Sequence, residues 1–268
     1  GKTHFNLGLE IHIHKHAASQ KKYADKGTEI QVKEVKIGKM AFLGLIDNLE
    51  STVKGLEWKA AGTEWADYYD ATKYTKEAFE LKKSLVGKFI ETAKPFSVWD
   101  LGANTGIFSQ QASQKGIFTV SADIDPSAVE RNYLDCKARK EKNILPLVLD
   151  LSNPSASIGW ANTERTSFTE RGPADLVMAL ALVHHLSISN NVPFTQLAEY
   201  LGRIGKHLII EFVPKEDSQV QRLLASRLDI FDRYNEKCFE EDFSQYFKLV
   251  KKEKVAGSKR TLYLFKKK

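Results

Sequence analysis

Cysteine is scarce in this chain: Cys136 and Cys238 are the only two, far apart and outside any Cys-x-x-Cys spacing. A disulfide framework or a zinc knuckle therefore has nothing to build on, and a reducing, cytoplasmic setting is the default. Long apolar runs are missing as well. The longest, residues 176–183, falls well short of the ~20 residues that span a bilayer, and no charged-then-apolar leader opens the chain, so no membrane association is expected. Excess charge of one sign is slight. The 40 Lys+Arg outnumber the 34 Asp+Glu by +6, spread along the chain apart from Lys251-Lys252 and the terminal run from Lys266 to Lys268. A solvated basic surface accounts for that pattern more simply than a nucleic-acid footprint does.

With 268 residues, 42% of them hydrophobic, the chain can bury one large core plus a smaller appended unit. No internal repeat or low-complexity segment appears, but the texture changes near residue 95. Before it, LGLEIHIHKH alternates like a short strand, and Phe42, Leu45, Ile46, Leu49 and Val53 recur at helical spacing. A second helical stretch places Ala78, Leu81, Leu85 and Phe89 on one face and stops at Lys94-Pro95. After Pro95 strands and helices alternate. FSVWDL (96–101), IFTVSAD (117–123), ILPLVLD (144–150), ADLVMALAL (174–182) and HLIIEFV (207–213) read as apolar strands, with helices between them. This order predicts a parallel sheet covered on both faces. The tail, FSQYFKLVKKEKV, a turn at Ala256-Gly257-Ser258 and KRTLYLFKK, reads as an antiparallel hairpin.

WDLGANTGIF (99–108) joins the first strand to the next helix. A dinucleotide turn wants G-x-G-x-x-G, so that backbone can approach the pyrophosphate and the helix can pack on the strand. Counting from Gly102, the later glycine positions hold Asn104 and Ile107. Asp100 would also set a negative charge beside a doubly negative pyrophosphate. S-adenosylmethionine reverses that logic, because its sulfonium and ammonium groups attract a carboxylate, while Gly102 and Gly106 keep side chains out of the way. The next strand ends in Asp123, which can accept hydrogen bonds from both ribose hydroxyls. The third ends in Asp150, within reach of the adenine amino group. In an open α/β sheet such strand ends converge on the ligand crevice.

DLGANTG, ADIDP, LDLS and ADLVMALALVHHL, in this order and spacing, resemble the successive motifs of the class I S-adenosylmethionine-dependent methyltransferases over roughly residues 65–268. TEWADYYDATKYT, IGWANTERTSFTERGPADLVMALALVHHL and FVPKEDSQVQRLL are similar to a bacterial group related to a nodulation protein. The family's commonest turn is D-x-G-x-G-x-G, and Asn104 replaces its middle glycine; Asn tolerates unusual backbone dihedrals better than most residues. The resemblance implies a Rossmann-like α/β fold: a mostly parallel seven-stranded sheet ending in an antiparallel hairpin, with a mostly helical N-terminal addition over residues 1–64. It further implies that Ile124 packs on the adenine, that Leu151 lies beside Asp150, that Ala181 lies near the methyl-bearing end, and that Tyr69 and Tyr74 cover the cofactor as a lid.

Methyl transfer needs alignment more than it needs catalytic side chains, so the sequence specifies the reaction better than the acceptor. A proton acceptor is expected at His184 or His185, just past the fourth strand, with Glu211 as a further candidate that can equally be a buried acid paired with an arginine. Trp160, Asn162 and Arg165, between the third and fourth strands, suit a polar or anionic acceptor, or else a surface loop tied down by the tryptophan. His12, His14 and His16 share one face if that segment is a strand, a pattern that an edge strand with polar faces explains equally well, and no metal is assigned. The expected activity is transfer of a methyl group to O or N of a small molecule. A non-catalytic cofactor-binding scaffold and an RNA or DNA methyltransferase are the alternatives; the latter ranks low because ALVHHL stands where base-methylating enzymes carry an Asn/Asp-Pro-Pro-aromatic signature. The oligomeric state is not legible.

Overall fold

The computed structural model describes residues 14, 17, 18, 38–56, 58 and 75–268. The chain divides into two compact units, Gly1–Lys59 and Ala60–Lys268. In the first, α1 (Lys39–Lys54) runs from Gly38 to Gly55. His14 is helical rather than extended, while His12, His16, Tyr69 and Tyr74 lie outside the described residues.

The second unit opens with α2 (Lys76–Ala93), whose first turn is capped by the Thr75 side chain accepting from the Ala78 N–H. It ends at Lys94 in a left-handed conformation before Pro95, the stop expected from the sequence. The buried stripe of this helix is Ala78, Lys82, Val86, Phe89 and Ile90, with Leu81 and Leu85 only half-buried. The apolar pattern had placed the stripe one residue round the helix, because it passed over a lysine whose charge is matched inside the fold.

Next come β1 (Ser97–Leu101), α3 (Ile107–Ser113), β2 (Phe118–Asp123), α4 (Pro126–Ala138) and β3 (Ile144–Val148). Asp125 caps α4 through the Ser127 N–H, and Pro126 sits at the first helical position. Then follow β4 (Ala174–Ala179), α5 (Phe194–Ile204), β5 (Gly205–Phe212), α6 (Ser218–Leu224), α7 (Glu236–Ser244), β6 (Phe247–Lys254) and β7 (Thr261–Lys267). The seven strands form one sheet in the order β3-β2-β1-β4-β5-β7-β6. Neighbours from β3 to β5 are parallel, whereas β7 runs antiparallel to both β5 and β6. This is the Rossmann-like sheet with a terminal hairpin that the alternating pattern predicts.

Alternate strand positions feed two cores. Trp99, Val177, Leu208, Ile210, Tyr263 and Phe265 meet α5 and α7 on one face, chiefly Leu197, Leu201, Phe239 and Phe243. On the other, Val98, Leu176, Met178, Ile209 and Leu264 meet α2 and α3 through Val86, Phe89, Ile90 and Phe108. The continuous apolar runs of β4 and β5 follow from burial on both faces.

One expected helix is missing. Between β3 and β4 the chain forms only two short 3₁₀ turns, Trp160–Asn162 and Thr169–Arg171, and an isolated bridge between Ile158 and Arg165. Ser, Asn and Thr compete for backbone hydrogen bonds in this stretch, and Pro154 and Gly159 interrupt it. Phe168 ties the link to the sheet, its ring 4.6 Å from that of Trp99. Trp160 is not the anchor, being 85% exposed. At the far edge, β6 presents Lys248, Lys251, Lys252 and Lys254, charges that discourage pairing with another chain. Among the described residues no helix is long and apolar enough to cross a membrane.

Phe243 is fully buried against Phe239 and Phe265, whereas Phe96 is 90% exposed. Phe243→Ala should cost about 3–5 kcal/mol of unfolding free energy, and Phe96→Ala within about 0.5 kcal/mol. Urea denaturation of both variants checks this; equal midpoints would place the core elsewhere.

Candidate cofactor cleft

The C-terminal edge of the parallel strands opens into a cleft of about 290 Å³. Its floor is the turn after β1. Gly102 and Gly106 have φ of 74° and 78°, and Asn104 is left-handed at 51°, so three residues in five adopt a conformation that L side chains avoid. A Cβ at Gly106 would lie 2.6 Å from the Asn132 amide, and one at Gly102 would meet Leu182 Cδ1 at 3.1 Å. Asn104 sustains the strain with its own side chain, Oδ1 accepting from the Thr105 N–H at 2.8 Å.

The three strand-end acids share this cleft but not one environment. Asp100 is 2% exposed; its Oδ2 accepts from the Ser109 hydroxyl at 2.6 Å, and Ser109 in turn contacts Ser121 at 2.8 Å. Burial, reinforced by the Asp123 charge and opposed by Ser109 and Lys82, pushes its carboxyl up to about 7. Asp123 accepts from the Asn104 N–H at 2.7 Å and the Asp125 N–H at 2.9 Å, and burial raises it too. Asp150 is half-buried; hydrogen bonds from the Ser152 hydroxyl (2.6 Å) and N–H (2.8 Å) hold it below the usual carboxylate range. Ile124, Leu151 and Ala181 line the same cleft with Gly102 and Asn104, and Gly106 lies in the turn just behind.

The cleft is also lined by groups that the sequence did not single out. Lys82 projects from α2, its Nζ 2.6 Å from Glu211 Oε2 and 4.9 Å over the Phe108 ring. Burial lowers its ammonium pKa, while Glu211 works to raise it. Arg260, just before β7, donates from Nε and Nη2 to the two carboxylate oxygens of Asp217 at 2.8 and 3.1 Å. Phe79, Ser189, Asn190 and Leu223 complete the wall. A lysine on an otherwise apolar helical stripe was the legible clue for Lys82; Arg260 had none, since its place depends on the β5–β7 pairing.

The candidate bases separate. Glu211 is fully buried and lies behind the wall: Oε2 accepts from Lys82 and, at 2.7 Å, from the Ala181 N–H, while Oε1 lies 3.8 Å from Arg260 Nη1. The paired-acid reading therefore describes its position. His184 is fully buried outside the cleft, and neither ring nitrogen has a hydrogen-bond partner among the described residues. His185 lines the cleft with its ring 4.1 Å from that of His184; burial and then Arg260 bring its imidazole down to about 4, so it is neutral at neutral pH. Trp160, Asn162 and Arg165 are exposed on the β3–β4 link and do not line the cleft. Tyr69 and Tyr74 remain outside the described residues, and among those described no His, Cys, Asp and Glu cluster could hold a metal ion.

No protein-family model matches the sequence. The nodulation protein NoeA of Rhizobium meliloti (strain 1021) is 40% identical over 232 residues, covering 86% of this chain and 48% of that protein, so the chain spans about half the length of the curated relative it matches. A solved putative O-methyltransferase from Nostoc punctiforme superposes with a TM-score of 0.54 at 15% identity, over 86% of this chain and 70% of its own. Magnesium protoporphyrin IX methyltransferase from Synechocystis, solved with bound SAH, gives 0.52 at 15% identity, over 76% and 93%. With its glycine turn, three acid-tipped strands and terminal hairpin, the chain has the fold of the class I S-adenosylmethionine-dependent methyltransferases and is a sequence relative of NoeA.

Proposed function

We propose that this chain is an S-adenosylmethionine-dependent methyltransferase acting on O or N of a small-molecule acceptor. The observation that carries the reading is the convergence of Asp100, Asp123 and Asp150 on one cleft beside a turn in which a Cβ at Gly106 would collide with Asn132. The donor set suits the cofactor. Asp150 and Ile124 would face the adenine and Asp123 the ribose, while Asp100 and Lys82, neighbours at the β1 end, supply the opposite charges that a zwitterionic amino-acid group requires. When bound, the cofactor supplies a methyl group already activated on a sulfonium. The chain's own work is to orient the acceptor, to exclude water with Leu180, Leu182 and Leu186, and to take up the acceptor's proton on neutral His185 where one must leave. Both cysteines are free thiols, in keeping with a cytoplasmic setting.

S-adenosylhomocysteine should bind in calorimetric titration and NAD should not; binding of NAD alone would overturn the assignment. Asp123→Ala should weaken S-adenosylhomocysteine about tenfold or more, since a buried polar group left without its partner costs roughly 1–3 kcal/mol. Unchanged affinity would mean that the ribose is held elsewhere.

Asp100 gives a signed pH dependence. Its raised pKa favours the protonated form in the free protein, whereas a cationic ligand favours the ionised one. Binding of the sulfonium cofactor should release a proton and tighten as pH rises toward about 7, levelling off above it. The free protein's stability moves the other way. Because the folded value lies above the unfolded 3.8, the contribution is fully present below 3.8 and is lost as pH rises through about 7. Asp100→Asn should therefore stabilise the free protein at pH 8 while weakening cofactor binding, measured by thermal melts and calorimetry. A variant destabilised at pH 8, or binding without proton release, would contradict this account.

A further inference from the structure

We infer that the methyl acceptor carries an oxyanion, a carboxylate or phosphate group, that docks on Arg260 beside His185; this rests on the methyltransferase reading above. The sheet order separates the two halves of the cleft. The acids stand on β1, β2 and β3, at one side of the C-terminal edge. Arg260 stands at the other, because Thr261 of β7 pairs with Phe212, the last residue of β5. A ligand held by the three acids thus leaves the β4, β5 and β7 side, with His185, Ser189, Asn190, Leu223 and Arg260, to the acceptor.

Three features of that side select an anion. First, Arg260 is fixed: both Asp217 oxygens hold it, and Asp217 is itself anchored as the cap of α6 through the Gln219 N–H at 2.9 Å. A planar guanidinium held in place recognises carboxylate and phosphate with little further loss of freedom. Second, Arg260 is 4% exposed in a cleft that Leu180, Leu182, Leu186 and Leu223 also line, and burial strengthens charge interactions. A buried ion pair adds little stability over apolar residues of similar volume, so stability alone does not call for an arginine in this wall. Third, His185 lines the cleft with Arg260, and after burial the Arg260 charge helps to hold its imidazole low, at about 4. An oxyanion bound on Arg260 would counter that charge and make His185 a better proton acceptor at the moment the acceptor is in place.

The test uses the whole chain saturated with S-adenosylhomocysteine and titrated with benzoate, phenyl phosphate and the uncharged isostere benzamide. At least one anion should bind about tenfold or more tighter than benzamide, the margin of a charge-assisted hydrogen bond, and the tighter of the two identifies carboxylate or phosphate. Arg260→Met should erase the preference and Arg260→Lys should retain part of it. The wild-type comparison needs no variant to fold. Equal affinity for benzamide and the anions, or no binding of either anion, overturns this inference alone. Failure of S-adenosylhomocysteine to bind would overturn the methyltransferase reading and this inference with it.

Discussion

A single buried carboxylate, Glu211, joins four elements of the sheet and its cover. It takes a hydrogen bond from Lys82 on α2 and another from the Ala181 backbone after β4, stands on β5 itself, and faces Arg260 at the start of β7. A charge with no exposed surface is costly unless it is matched, and here each match also fixes a wall of the cleft. The Ala181 N–H bond holds the chain after β4 at a φ of 51°, a strained value for a residue with a Cβ. β4 ends four residues before the apolar run stops, and beyond that turn Leu182 and His185 line the cleft while His184 does not. The wall formed by the chain after β4 is thus tied to one ion-pair network.

Asymmetry of charge is the second organising feature. Acids at the ends of β1 to β3 line one cleft with Lys82, which neighbours Asp100, and with Arg260, which precedes β7 across the sheet from them. Asp100 is the most strained of the acids, being buried, close to Asp123 and only partly relieved by Ser109 and Lys82. A cationic ligand of the kind proposed would relieve that tension. Asp150 bears no comparable strain, because Ser152 satisfies it locally.

Much of this was legible in the chain. Period-two and continuous apolar runs mark strands whatever packs on them, so β1 to β5 and the terminal hairpin were readable to within a few residues, and with them the acids at their ends. The β3–β4 link was misread as containing a helix, because strand alternation alone implies a crossover and says little about its conformation. Lys82 was missed because a search for apolar stripes discards charged residues, and Trp160 was overvalued because aromatic character does not reveal exposure. Of His184 and His185, adjacency in sequence gave no means of telling which faces the cleft.

The sequence by itself determined the order of strands and helices, the glycine turn and the identity of the three acids, since these depend on residue type and on spacing within one or two elements. Tertiary structure alone decided that Glu211 stands behind the wall and that Lys82 and Arg260 come to it from 129 and 49 positions away in the chain (211 − 82 and 260 − 211). Which distant charges meet is set by sheet pairing and by the cost of leaving a buried charge unmatched, and neither is written in any local stretch of chain.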